Sequence, residues 1–236
     1  MLLRRFTHHL KDQNWFAVGL DVIVVIVGIF LGMQVTEWNE QRNNAERETL
    51  LVKNIIEDLR LDSQHISQSL NELANQLEVA DKLIAKSLDS EKSIDYESAG
   101  LVRYSSDFRP ISQRNHAEAV SKLKNEFNRE ILQNYFIKED RVADIFLEYE
   151  SIIHNKIRPY LSEVGMHNLK ALYDQKPDGL SPVFLLPEIL DEQLDNVQFQ
   201  QLLFERRLKT GSFNVLLKEL QSSNLELIQA LSSNNN

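Results

Sequence analysis

Hydrophobic and polar positions follow three different rhythms along this chain, and each predicts its own kind of element. The first is an unbroken apolar run. Phe16 to Val35 reads FAVGLDVIVVIVGIFLGMQV, in which fifteen of twenty residues are apolar and Val22 to Met33 carries no polar side chain. About 20 apolar residues cross a bilayer as a helix, so the run predicts a transmembrane helix over 15–38. Trp15 and Trp38 bracket it. At 1.5 Å per residue they lie about 34 Å apart, a spacing that suits two rings at opposite membrane interfaces. No small-x-small cleavage site follows the run, which reads as an uncleaved anchor.

The second rhythm alternates in threes and fours. No Gly or Pro occurs between Asn39 and Ser90. One row of positions is Val52, Leu59, Ile66, Leu73 and Ala80, and the neighbouring row is Ile56, Ser63, Leu70, Leu77 and Ile84. Nine of these ten are apolar, which makes nearly five heptads of a seam. A long juxtamembrane helix is expected over 39–90, continuing from the span. The seam fits a parallel coiled coil between two copies, or the first helix of an intramolecular bundle. The amphipathic segments that follow favour the bundle, because they need something to cover.

The third rhythm is helical but interrupted. Residues 91–114 are aperiodic and predict a connection. A helix is expected from Asn115, with Val120, Leu123, Phe127, Ile131, Leu132 and Tyr135 inward. Another is expected from about Asp140, with Val142, Ile145, Phe146, Tyr149 and Ile153 inward, and Pro159 can open a further one. Residues 176–187 hold three of five prolines and predict a loop. A last helical stretch runs from Glu188 to Leu231, with a break expected at Thr210-Gly211. The fold class is therefore all-α. A short cytoplasmic tail (1–14) precedes the transmembrane helix and the long helix, the rest of a helical bundle fills 91–231, and a disordered tail closes the chain at 232–236.

Composition sharpens this picture. Seven glycines and five prolines in 236 residues are too few for many hairpins. The absence of cysteine removes disulfides, thiol nucleophiles and thiolate metal sites. Twenty-six basic against thirty-five acidic residues give a net charge of -9. Residues 1–38 hold three of each sign, so the whole surplus belongs to 39–236. Such a surface repels phosphates, and nucleic acid is not expected as a partner. Arg4, Arg5 and Lys11 before the span outnumber Arg42 and Arg47 just after it. By the positive-inside rule the N-terminus is cytoplasmic and the C-terminal domain periplasmic.

Gly28 and Gly32 form a GxxxG pair that favours close helix–helix packing. At 100° per residue, Asp21 falls on the same stripe. Its carboxyl either reaches headgroup water or lies at a helix–helix interface. Asn14-Trp15, Asp21, Gly28, Gly32 and Trp38-Asn39-Glu40 together make the stretch 13–42 resemble the N-terminal signature of a bacterial family of single-span membrane proteins that carry a domain of unknown function. In that family a Thr/Ser-Gly step usually interrupts the middle of the chain, and Ala117 to Phe127 has none. The resemblance implies an envelope location, here expected to be the inner membrane, and a mostly helical exterior. It brings no activity, cofactor or catalytic residue.

Candidate chemistry is sparse. Glu150/His154 and Glu163/His167 each stand four apart, the spacing of a surface hydrogen bond more than of a metal site. His65 and His116 lack an evident partner, and His8-His9 are expected at the membrane surface. Arg206, Arg207 and Lys209 read as solvated charge near a helix end. No phosphate loop, nucleophile elbow or zinc motif occurs. The expectation is a non-enzymatic anchor without metal or cofactor. Its partners would be the lipid bilayer and a second copy or another membrane protein. The alternative is a ligand-binding sensor. With fourteen residues ahead of the span, that sensor would signal through a membrane partner.

Overall fold

The computed structural model describes residues 15–89, 91–174 and 185–233, and side-chain surroundings within them except at 15–18, 21 and 172–174. The tail 1–14, most of the 176–187 loop and Asn234–Asn236 lie outside the described residues. Contacts divide the chain into two units, Met1–Leu51 and Val52–Asn236. Among the described residues the protein is all-α, apart from one isolated antiparallel bridge between His167 and Leu185.

Helix α1 runs Trp15–Leu88 without interruption. The missing glycine and proline after Asn39 explain its continuity. In the first unit, every apolar side chain from Val22 to Val35 is exposed, at 49–64%. Within the second unit, α1 turns one row inward as expected: Val52, Leu59, Ile66, Leu73 and Ala80 are 3% exposed or less. The other row is a correction beyond its first member. Ile56 is buried, but Ser63, Leu70, Leu77 and Ile84 are half-buried, and the buried row is Ile55, Asp62, Ser69, Gln76 and Leu83. Apolarity alone pointed one residue too far along, because three polar side chains take the central inward places.

Helix α2 (Tyr96–Ala99) and a 3-10 turn (Gly100–Arg103) follow, then an extended stretch, then α3 (Ser112–His116) and α4 (Ala119–Lys122). Helix α5 spans Glu126–Ile152. The single helix expected from Asn115 is thus three pieces, and no new helix starts at Asp140. Asn125 explains the true start, since its side chain accepts the Asn128 N–H at 3.0 Å as an N-cap. Phe127, expected inward, is 60% exposed, and Asn128 is buried in its stead.

Helix α5 widens into a π turn (Ile153–Ile157) and continues as α6 (Arg158–Glu163). Arg158 N–H bonds back five residues to Ile153, and Pro159, which has no N–H to give, follows immediately. The wider turn lets proline enter without a break. Gly165 then adopts a left-handed φ of 68° and ends the run. After α7 (Leu169–Asp174) come α8 (Pro187–Leu194) and α9 (Val197–Ser233).

Helix α9 corrects two expectations. It crosses Thr210-Gly211 unbroken, with Thr210 Oγ1 donating to Arg206 O at 2.7 Å. The real break is at Asp195-Asn196, where Asn196 caps α9 by accepting the Gln198 N–H at 2.8 Å. The helix also continues to Ser233, into what reads as a disordered tail in the sequence.

A core joins Val79, Leu83, Val102, Ile157, Leu161, Leu190, Phe199 and Leu203 at one end of the second unit. Tyr160 stacks on Phe199 there, at 5.4 Å and 8°, and donates its hydroxyl to Gln193 at 2.6 Å. A second cluster packs Phe108 and Phe146 around Phe213, with Tyr149 5.1 Å from the Phe213 ring.

Candidate functional site

The buried polar row of α1 builds two connected sites, and both hold the segment 104–116 in place. We call that segment the strap. Spacings of four, seven and seven set Asp58, Asp62, Ser69 and Gln76 along one side of α1. Ser69 Oγ donates to Asp107 O at 2.7 Å. Asn115 Nδ2 donates to Asp58 at 2.8 Å, and His116 Nε2 lies 3.0 Å from the same oxygen.

The first site surrounds the start of α3, whose own sequence supplies no side-chain cap. Its first N–H groups need outside acceptors. Asp62 Oδ1 accepts the Ile111 N–H at 2.9 Å, and its Oδ2 accepts the Ser112 N–H at 2.9 Å and the Ser112 hydroxyl at 2.5 Å. Glu139 of α5 takes the Gln113 N–H and the Tyr135 hydroxyl. Tyr135 in turn accepts from Asn224 Nδ2 at 3.1 Å, which also donates to Leu59 O at 3.0 Å. Asp62, Glu139, Tyr135, Asn224 and Ser112 are all 2% exposed or less. Burial, then the nearby Asp62 charge, pushes the Glu139 carboxyl up to about 8. Glu139 Oε2 has no partner.

The second site centres on Arg206, 1% exposed in the middle of α9. Its Nε donates to Val102 O at 2.7 Å and its Nη2 to Leu101 O at 2.9 Å, Tyr104 O at 3.3 Å and Gln76 Oε1 at 3.3 Å. The guanidinium thus caps carbonyls at the end of the 3-10 turn, where a cation is favourable. Burial lowers it to about 10, and it stays charged at neutral pH. Gln76 Oε1 also accepts from Tyr149, whose oxygen accepts the Ser106 N–H, both at 2.7 Å. Gln76 Nε2 closes the ring by donating to Ser106 Oγ at 3.1 Å.

The remaining sequence candidates fall elsewhere. Arg206 is a buried anchor and not solvated charge. Arg207 pairs with Asp81 at 2.8 Å and Lys209 with Glu148, both on the surface. Glu150 and His154 stand half-exposed on one face but 3.8 Å apart, too far for the hydrogen bond their spacing suggests. Glu163 and His167 do not share a helix, since α6 ends at Glu163. His116 does have a partner, Asp58, and sequence separation hid it. His65 is exposed and, with Ser69, Glu72, Asp107 and Arg109, lines an open cleft of about 290 Å³. Among the described residues, no group of three or more His, Asp or Glu side chains is arranged to hold a metal.

In the first unit, Trp38 is 66% exposed. A Cβ built on Gly28 or Gly32 meets nothing within 4 Å, so the stripe lies open. The side chains of Trp15 and Asp21, the other two membrane-segment candidates, lie outside the described residues. Comparison with protein-family models, curated proteins and solved structures finds no match for this chain.

Proposed function

We propose that this protein is a single-pass bacterial inner-membrane anchor presenting a periplasmic helical domain to another envelope component. One observation carries the reading: α1 is long and apolar enough to cross a membrane, and its most apolar window is 0% buried by the rest of the chain. So large an apolar surface is stable in lipid or against a partner, and not in water. The open Gly28/Gly32 stripe and Asp21 are the contact surface toward a second span. Both buried polar sites serve to fix the strap, and neither presents convergent groups to a substrate, which favours interaction over catalysis.

Alkaline phosphatase fused after Ser233 tests topology. It is active in cells if the C-terminal domain is exported, and a fluorescent-protein fusion at the same place is then dark. Bright fluorescence with an inactive phosphatase overturns the orientation. Recovery of the full chain in the soluble fraction overturns the anchor. In-membrane crosslinking of wild type and Gly28→Leu tests the contact face, and equal yields for the two reject it.

A further inference from the structure

We propose that Asp62 and Glu139 form a one-proton lock, whose loss on alkalinisation releases the strap 104–116 from α1 and α5. The proposal concerns the second unit alone and holds whether or not α1 spans a membrane.

Geometry divides the pair. Both Asp62 oxygens accept hydrogen bonds from the start of α3, three donors in all, which is the arrangement of an ionised carboxylate. Glu139 is equally buried, yet its Oε2 faces no donor. An ionised carboxylate there would leave charge on an unsolvated oxygen, whereas a protonated one leaves a neutral hydroxyl, at much lower cost. The proton therefore belongs on Glu139.

Among the described residues, the main charges acting on Glu139 are both negative, Asp62 of α1 and Asp140 of its own helix. The other facing groups are the Tyr135 hydroxyl of α5, the Gln113 N–H of α3 and, through Tyr135, the neutral Asn224 of α9. One turn before Asp62, Asp58 is already engaged by Asn115 and His116 of the strap. A second negative charge at the start of α3 consequently repels Asp62, the residue that anchors the strap's N–H groups. Opening the strap is the relaxation available, because Asp62 and Glu139 sit on long helices with their own apolar contacts. The strap is held largely by these polar bonds, with Phe108 as its main apolar anchor.

The chain's lack of cysteine makes a site-specific test direct. A nitroxide is placed at Arg114→Cys, an exposed position in α3, on the full chain in detergent. A control label sits at Glu226→Cys, exposed on α9. The Arg114 label should be constrained at about pH 6 and become mobile through a midpoint near pH 8, while the control spectrum stays unchanged. In Glu139→Gln, which cannot ionise, the pH response should be lost.

An invariant Arg114 spectrum overturns the lock. So does the same midpoint in Glu139→Gln, or a control label that loosens in step. If Glu139→Gln loses its helical circular dichroism, infrared spectroscopy of wild type decides. Carbon-13 labelling of glutamate should shift a protonated-carboxyl band that is present at about pH 6 and gone at about pH 10. No such band at the lower pH overturns the proposal.

Discussion

At the residue scale, the two positions that mislead most are Arg206 and Gly211. A run of Arg-Arg-x-Lys reads as surface charge because each cation is costly to bury. Arg206 is buried nonetheless, since four acceptors converge on it from the 3-10 turn, Tyr104 and Gln76. Nothing in its own neighbourhood along the chain announces those carbonyls, which lie about a hundred residues away. Arg206→Met keeps the bulk but strands the carbonyls of Val102 and Tyr104, while Leu101 O keeps the Tyr104 N–H. It should lower stability by about 2–4 kcal/mol in denaturant titration. Gly211 looks like a helix break but lies inside α9, where a Cβ would meet Arg207 Nη1 at 3.0 Å. That atom is the tip of a flexible, half-exposed side chain and can step aside. Gly211→Ala should therefore raise the thermal midpoint, gaining somewhat less than about 1 kcal/mol from helix propensity. A lower midpoint would mean that the Arg207–Asp81 pair matters more than its exposure suggests.

At the scale of elements, continuity was legible and inward register was not. Helix α1 could be read from its lack of breakers, and one of its buried rows from apolar spacing. The second row defeats that logic, because Asp62, Ser69 and Gln76 are buried by a strap that fills their hydrogen bonds from 30 to 50 residues away. The same limit separates Asn125 and Asn196, whose capping role is a local signal open to reading, from the π turn, whose register is set by packing as well as by Pro159. The candidate sites themselves had no local signature, since their members are drawn together from several helices. If the polar row anchors the strap, Asp62→Ala should expose it by leaving two N–H groups and a hydroxyl unpaired in the interior. The expected loss is roughly 3–5 kcal/mol, with tryptic cleavage after the exposed Arg114 faster by tenfold or more. Asp62→Asn keeps the acceptor oxygen but not the charge, and should fall between Asp62→Ala and wild type. Unchanged cleavage in Asp62→Ala would show that the aromatic contacts of Phe108 suffice.

At the scale of the whole molecule, charge and burial are partitioned. The first unit carries the exposed apolar helix, and the second carries the core, the acidic surplus and a carboxyl that prefers to be neutral. This last feature fixes how stability responds to pH. Glu139 titrates near 8 in the fold, against 4.5 for a free glutamate. Between those values the folded chain holds a proton that the unfolded chain has released, so unfolding becomes easier as pH rises. The contribution is complete below 4.5 and lost on passing through about 8. At full burial the linkage amounts to a few kcal/mol, with roughly 5 as an upper bound. Growing net negative charge works in the same direction, because the chain is already at -9. The two effects separate on substitution. Wild type should lose urea resistance between about pH 5 and about pH 9, and Glu139→Gln should lose much less, keeping the slope that general repulsion imposes. Equal slopes would assign the whole pH response to net charge, and Glu139 would then be ionised in the fold without consequence.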